Sequence, residues 1–179
     1  MLAYLDWIGL RLMTELEYEK ICRGKEVPPT PGEYAWGTDT YNDAGDLLFD
    51  GRPIESTTHV DSLIGLFSET PLRAGFAATS TSNRAHAGAS FWGHLDLHNL
   101  NETMFGVESV NLNQYSVGDG SLDIFGNANV PQWFNSAVIL STQVETTSPN
   151  PISEGKTIIS GNLRSPHNGF RGVIKIYPL

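Results

Sequence analysis

The run RLMTELEYEKICRG, from Arg11 to Gly24, constrains this chain more than any other. Thr14 followed by Glu17 has capping-box spacing: the hydroxyl accepts from the Glu17 amide, and the carboxylate returns to the Thr14 amide. Tyr18, Ile21 and Cys22 then fall on one helical face, with Leu16 off it, and Gly24 predicts a left-handed stop. Upstream, Leu10 to Met13 reads as extended. Residues 1–8 read as a short helix with Leu2, Leu5 and Ile8 on one side, ended by Gly9.

Past Val27 the pattern changes. VPPTPGEYAWGTDTYNDAGD, residues 27–46, has too many turn formers for a long helix. DSLIGLF (61–67) and GASFWGHLDLH (88–98) contain short strand-like or buried segments. SVGDGSLDIFGNANVPQWFN (116–135) reads as a loop whose aromatic residues anchor it to a core. SAVILSTQVETT (136–147) and GFRGVIKIY (169–177) are the clearest strands. With 18 glycines and 10 prolines in 179 residues, this is a loop-rich α+β pattern in one domain, without repeats or a clear linker.

Charge and cysteine count narrow the function classes. A net charge of −9 without clustered Lys or Arg argues against nucleic-acid binding, which needs cations for phosphate. No apolar run reaches the length of a membrane span, so no membrane insertion is expected. One cysteine, Cys22, forbids an intrachain disulfide. MLAYLDWIGLRL carries Asp6 and lacks the basic start and cleavage site of a signal peptide. Either export by that route is not expected, or the chain is a piece of something longer.

RLMTELEYEKICRG resembles the R-L-P-T-E-x-E-W-E-x-A-x-R-G run of the formylglycine-generating enzyme (sulfatase-modifying factor) family. Four further segments agree in order. GEYAWGT at 32–38 is similar to the family's Y-P-W-G turn, and GASFWGHLDLHNLNE at 88–102 to its D-h-x-G-N-h-W-E segment, where h is apolar. GDGSLDIFGNANVPQW at 118–133 is similar to a loop of a bacterial branch. NGFRGVIKI at 168–176 resembles the closing G-F-R-x-V-R strand. The resemblance implies a C-type-lectin-like fold with little regular secondary structure over residues 1–179, lacking the family's N-terminal strands. Such a gap suggests a fragment, or a subunit completed by another chain. Some relatives are oxidases acting on a sulfatase cysteine; others are surface or viral binding proteins.

Where the chain departs from the family, the chemistry changes. The oxidases need two late cysteines that hold copper, and residues 136–171 contain none. Cys22 reads as a small buried hydrophobe. The chain is therefore expected not to be an enzyme, and no cofactor is required. Calcium is the metal the resemblance would bring, with Asp96, Asn99, Leu100 and Glu102 at the matching positions. DLHNLNE lacks the family's glycine there and has Asn101 for its tryptophan. The family's second calcium site needs an Asp within PLRAGFAATS, which has none. A rival set is His94, Asp96 and His98, which alternation would place on one face of a strand, a pattern able to hold zinc or iron. The plainer reading is a half-buried strand whose polar face meets solvent. DGSLD (119–123) has calcium-loop character without EF-hand spacing. Arg171 reads as structural, pairing with a core carboxylate or carbonyls.

The leading expectation is thus a non-catalytic module for ligand binding or for building a cell-surface or virion assembly. Residues 131–170 are the expected presenting region, with Trp133, Phe134, Asn135, Arg164, His167 and Asn168 as ligand-contacting groups. The alternative role for these aromatics is loop anchoring. A protein partner, self-assembly or a surface ligand is expected, at an extracellular, cell-surface or viral location. The alternatives are a metal-dependent enzyme using the His/Asp set, and an accessory subunit whose partner keeps the cysteines.

Overall fold

The computed structural model describes residues 1–24, 28, 30–43, 46–58, 63–64, 75–97, 101–106, 116–133, 139–142, 152, 156–158 and 168–174. Helix α1, Leu2–Trp7, buries Leu2 and Leu5 and ends before Gly9, whose φ is 72°. Ile8, expected on the buried side, is partly exposed, because the helix stops one residue earlier. Strand β1, Arg11–Leu12, leads into α2, Glu15–Arg23. The capping box at its start is complete: Thr14 Oγ1 accepts from the Glu17 amide at 3.2 Å, and Glu17 Oε2 accepts from the Thr14 amide at 2.8 Å. Arg11 grips the same carboxylate at 2.8 and 2.5 Å, tying the strand to the first turn of the helix.

The stop at Gly24 differs from the expected left-handed cap. Its φ of 83° is positive, but its ψ of −169° lies in the extended mirror region that glycine alone occupies readily. A Cβ there would stand 2.5 Å from the Phe91 ring. Glycine is needed both for the backbone conformation and for the space.

The remaining strands are short: β2 Asn42–Asp43, β3 Leu47–Leu48, β4 Ser56–Thr57, β5 Leu63–Ile64, β6 Asn101–Phe105, β7 Ile139–Thr142, β8 Lys156–Ile158, β9 Asn168–Phe170 and β10 Gly172–Val173. The expected closing strand is thus two pieces, β9 and β10, interrupted at Arg171. Four strands form one sheet in the order β8-β7-β6-β9, with β9 parallel to β6 and the other pairs antiparallel. β1 pairs with β10, β2 with β5 and β3 with β4. The Phe105 amide donates to the Met13 carbonyl at 2.8 Å, joining the end of β1 to the end of β6.

That junction divides the core. Successive residues of an extended segment point to opposite faces. Met13 and Met104 enter a cluster under α2 with Tyr18, Cys22, Tyr34, Trp36 and Leu97. Leu12 and Phe105 enter a second cluster with Leu2, Leu5, Val130, Trp133 and Ile139. The second cluster fixes α1 against the loop that starts near residue 116.

Candidate functional site

The site that stands out begins with a residue whose sequence position gave no functional signal. Asp6 lies in the last turn of α1, where the helix dipole disfavours an anion, yet it is fully buried. Its compensation comes from another segment. Asp6 Oδ1 accepts from the Asp119 amide at 3.1 Å and Oδ2 from the Asn129 amide at 2.9 Å. The Asp6 carbonyl also accepts from Gly120 at 3.0 Å. Gly118 passes so close that a Cβ on it would lie 2.3 Å from the Asp6 Cα. One carboxylate therefore clamps both legs of the loop 118–130 at its base.

Above the clamp the loop is a hairpin. Leu122 bridges Ala128, and the Asp123 amide donates to the Asn127 carbonyl at 2.9 Å. Gly126, at φ 79°, closes the turn. Asp123 Oδ1 accepts from the Phe125 and Asn127 amides, each at 2.8 Å. Asp119 Oδ1 accepts from the Ser121 amide at 2.8 Å and from its hydroxyl at 2.6 Å. Asn129 reaches across to Ser121 Oγ at 3.1 Å. The hydroxyl and amide of Ser121 hold the Asp119 carboxyl below its ordinary pKa, and the Asn127 amide leads the same effect at Asp123. Both are carboxylates at neutral pH.

This turn, braced at the base and along its length, carries two large apolar side chains into solvent. Ile124 is 92% exposed and Phe125 81%. Phe125 was expected among the aromatic anchors of this loop; the tight turn around Asp123 instead points it outward. Trp133 supplies the anchoring: it is buried in the second cluster, and its indole donates to the Ser116 carbonyl at 2.9 Å. That placement removes its ring from the reach of a surface ligand. Of the other expected contact residues, Asn168 pairs through its backbone register with Asn101. Phe134, Asn135, Arg164 and His167 lie outside the described residues.

The two metal sets meet at Asp96. Residues 94–97 do not run as the expected alternating strand: Asp96 adopts φ 62°, which breaks the two-residue period, so His94 and Asp96 do not share a strand face. The His94 amide donates to Ser90 Oγ at 3.1 Å, its carbonyl accepts from the Ser90 amide at 2.8 Å, and the residue is exposed. The Asp96 carboxylate accepts from the Gly75 amide at 2.6 Å. His98, Asn99 and Leu100 lie outside the described residues, and Glu102 sits in β6 opposite Gly169. Among the described residues no three His, Cys, Asp or Glu side chains converge as a metal would require. Of the four positions matched to the calcium set, only Asp96 has a described side chain.

Elsewhere the structure gives structural roles. Cys22 is buried in the first cluster. Arg171 donates to the Leu95 carbonyl at 2.8 Å. Among the described residues no helix is long and apolar enough to cross a membrane. No protein-family model, no curated protein and no solved structure matches this chain.

Proposed function

We propose that this chain is a non-catalytic recognition module, a sulfatase-modifying-factor-like domain of C-type-lectin-like fold. It serves in ligand binding or as a subunit of a cell-surface or virion assembly. The observation that carries this reading is the hairpin 118–130: a buried carboxylate and several turn hydrogen bonds hold it, while Ile124 and Phe125 contribute little to the core. Exposed side chains on a pre-organised turn bind with a small ordering cost, which suits recognition. An aromatic tip beside the Asp123 carboxylate fits an apolar pocket with a donor-rich or basic rim.

The test is a paired screen of the wild type and the Ile124→Ser/Phe125→Ser double variant, against a random-peptide display library and a glycan array. Ligands held by the wild type and lost by the variant, at equal melting temperature, are the expected result. Binding retained by the variant, or no binding by the wild type in either array, overturns the reading.

A further inference from the structure

A second exposed apolar surface lies on α1. The Tyr4 ring stands 6.2 Å from Trp7 and 6.2 Å from Phe170, so the three aromatics are contiguous. Tyr4 is 53% exposed and Trp7 61%. Ile8 follows Tyr4 by one helical turn and is partly exposed. A Cβ on Gly172 would meet Leu5 and Leu10, so that face of β10 looks toward α1. Ile174, just past the end of β10, is largely exposed. We infer that this surface, Tyr4, Trp7 and Ile8 with Phe170 and Ile174, is where two copies of this chain meet.

Area and charge point to a second copy. The exposed parts of the three aromatics amount to about 300 Å², taking 150–250 Å² for each, and those of Ile8 and Ile174 together add about one whole isoleucine side chain. A standard interface buries about 800 Å² per partner, and in homodimers about 65% of it is apolar, which requires a similar apolar area. None of the five is an Asp, Glu, Lys, Arg or His, and Asp6 on the same helix is turned inward and buried. In a chain of net charge −9, contact between copies elsewhere tends to set like charges opposite each other. This face avoids that, and a two-fold axis through it would stack aromatic on aromatic.

The inference rests on the subunit part of the reading above, and its test is separable, because the hairpin-tip variant leaves this face intact. Light scattering of the purified chain across a concentration series should show the mass rising toward twice the monomer. In Tyr4→Ser/Trp7→Ser, with unchanged circular dichroism, the dissociation constant should rise at least about 30-fold, as for loss of an interface hot spot. Hydrogen exchange on the wild type provides a check that does not depend on a variant folding: amides of residues 2–8 and 170–174 should become more protected as concentration rises. A wild type that stays monomeric, or is monomeric but partitions onto phosphatidylcholine vesicles, overturns the inference. So does a variant that associates as tightly as the wild type, or association without protection of these residues.

Discussion

Asp6 shows how one buried carboxylate organises a distant segment. Two amides more than 110 positions away, those of Asp119 and Asn129, end on its oxygens. Asp6→Ala removes the acceptor of both part-buried bonds and should cost about 1–3 kcal/mol, at about 0.5–1.5 for each. Urea denaturation of wild type and variant checks this. Asp6→Asn keeps the shape and one acceptor oxygen, and should fall between them. Gly118→Ala presses a methyl into the Asp6 backbone and should loosen the same clamp, read as faster amide exchange at Asp119 and Asn129.

At the scale of the element, α2 depends on its first turn. Thr14→Ala removes the hydroxyl that accepts from the Glu17 amide and should cost about 1 kcal/mol, read as a lower urea midpoint with an unchanged slope. Glu17 also gives the helix a pH dependence. Burial pushes its pKa up, but the Arg11 hydrogen bonds, the Thr14 amide and the Arg11 charge outweigh that, so it lies below the ordinary 4.5. A carboxyl depressed on folding contributes stability above its unfolded pKa, and loses it as pH falls through the folded value. Stability should therefore decline on acidification below about pH 5, and Glu17→Gln should flatten that decline in a series of melts across pH.

For the whole molecule, two arginines join parts that share no regular pairing. Arg23 makes a buried ion pair with Glu33 and a second contact with Glu19 at 2.8 Å, linking α2 to the turn before Tyr34. Arg84 donates to the carbonyls of Ala35 at 2.8 Å, Ala89 at 3.2 Å and Cys22 at 3.3 Å. Glu33→Ala would remove one carboxylate from the buried Arg23 while Glu19 stays paired with it, and should cost about 1.5–3 kcal/mol, measured by denaturant unfolding. At the level of assembly, an apolar contact in an acidic molecule tightens when salt screens the net charge. Adding about 0.5 M sodium chloride should therefore strengthen self-association in sedimentation runs, whereas an interface of ion pairs would weaken.

The sequence by itself determined the local features. A capping box needs residues three apart, so Thr14 and Glu17 announced α2, and the spacing of Tyr18 and Cys22 announced its buried face. The extended segment at Arg11–Leu12 and the short first helix were legible for the same reason. What the tertiary structure decided is which segments meet. Asp6 carried no functional signal in the sequence, because the amides that satisfy it belong to a loop with no sequence link to it. Alternation predicted a strand through HLDLH, and the positive φ at Asp96 that breaks it accompanies a hydrogen bond to Gly75, 21 residues away. Trp133 and Phe125 are both aromatic residues of one loop, and composition treats them alike. Burial separates them, because the second cluster has room for the indole at the loop's base while the Asp123 turn carries the phenyl ring away from it.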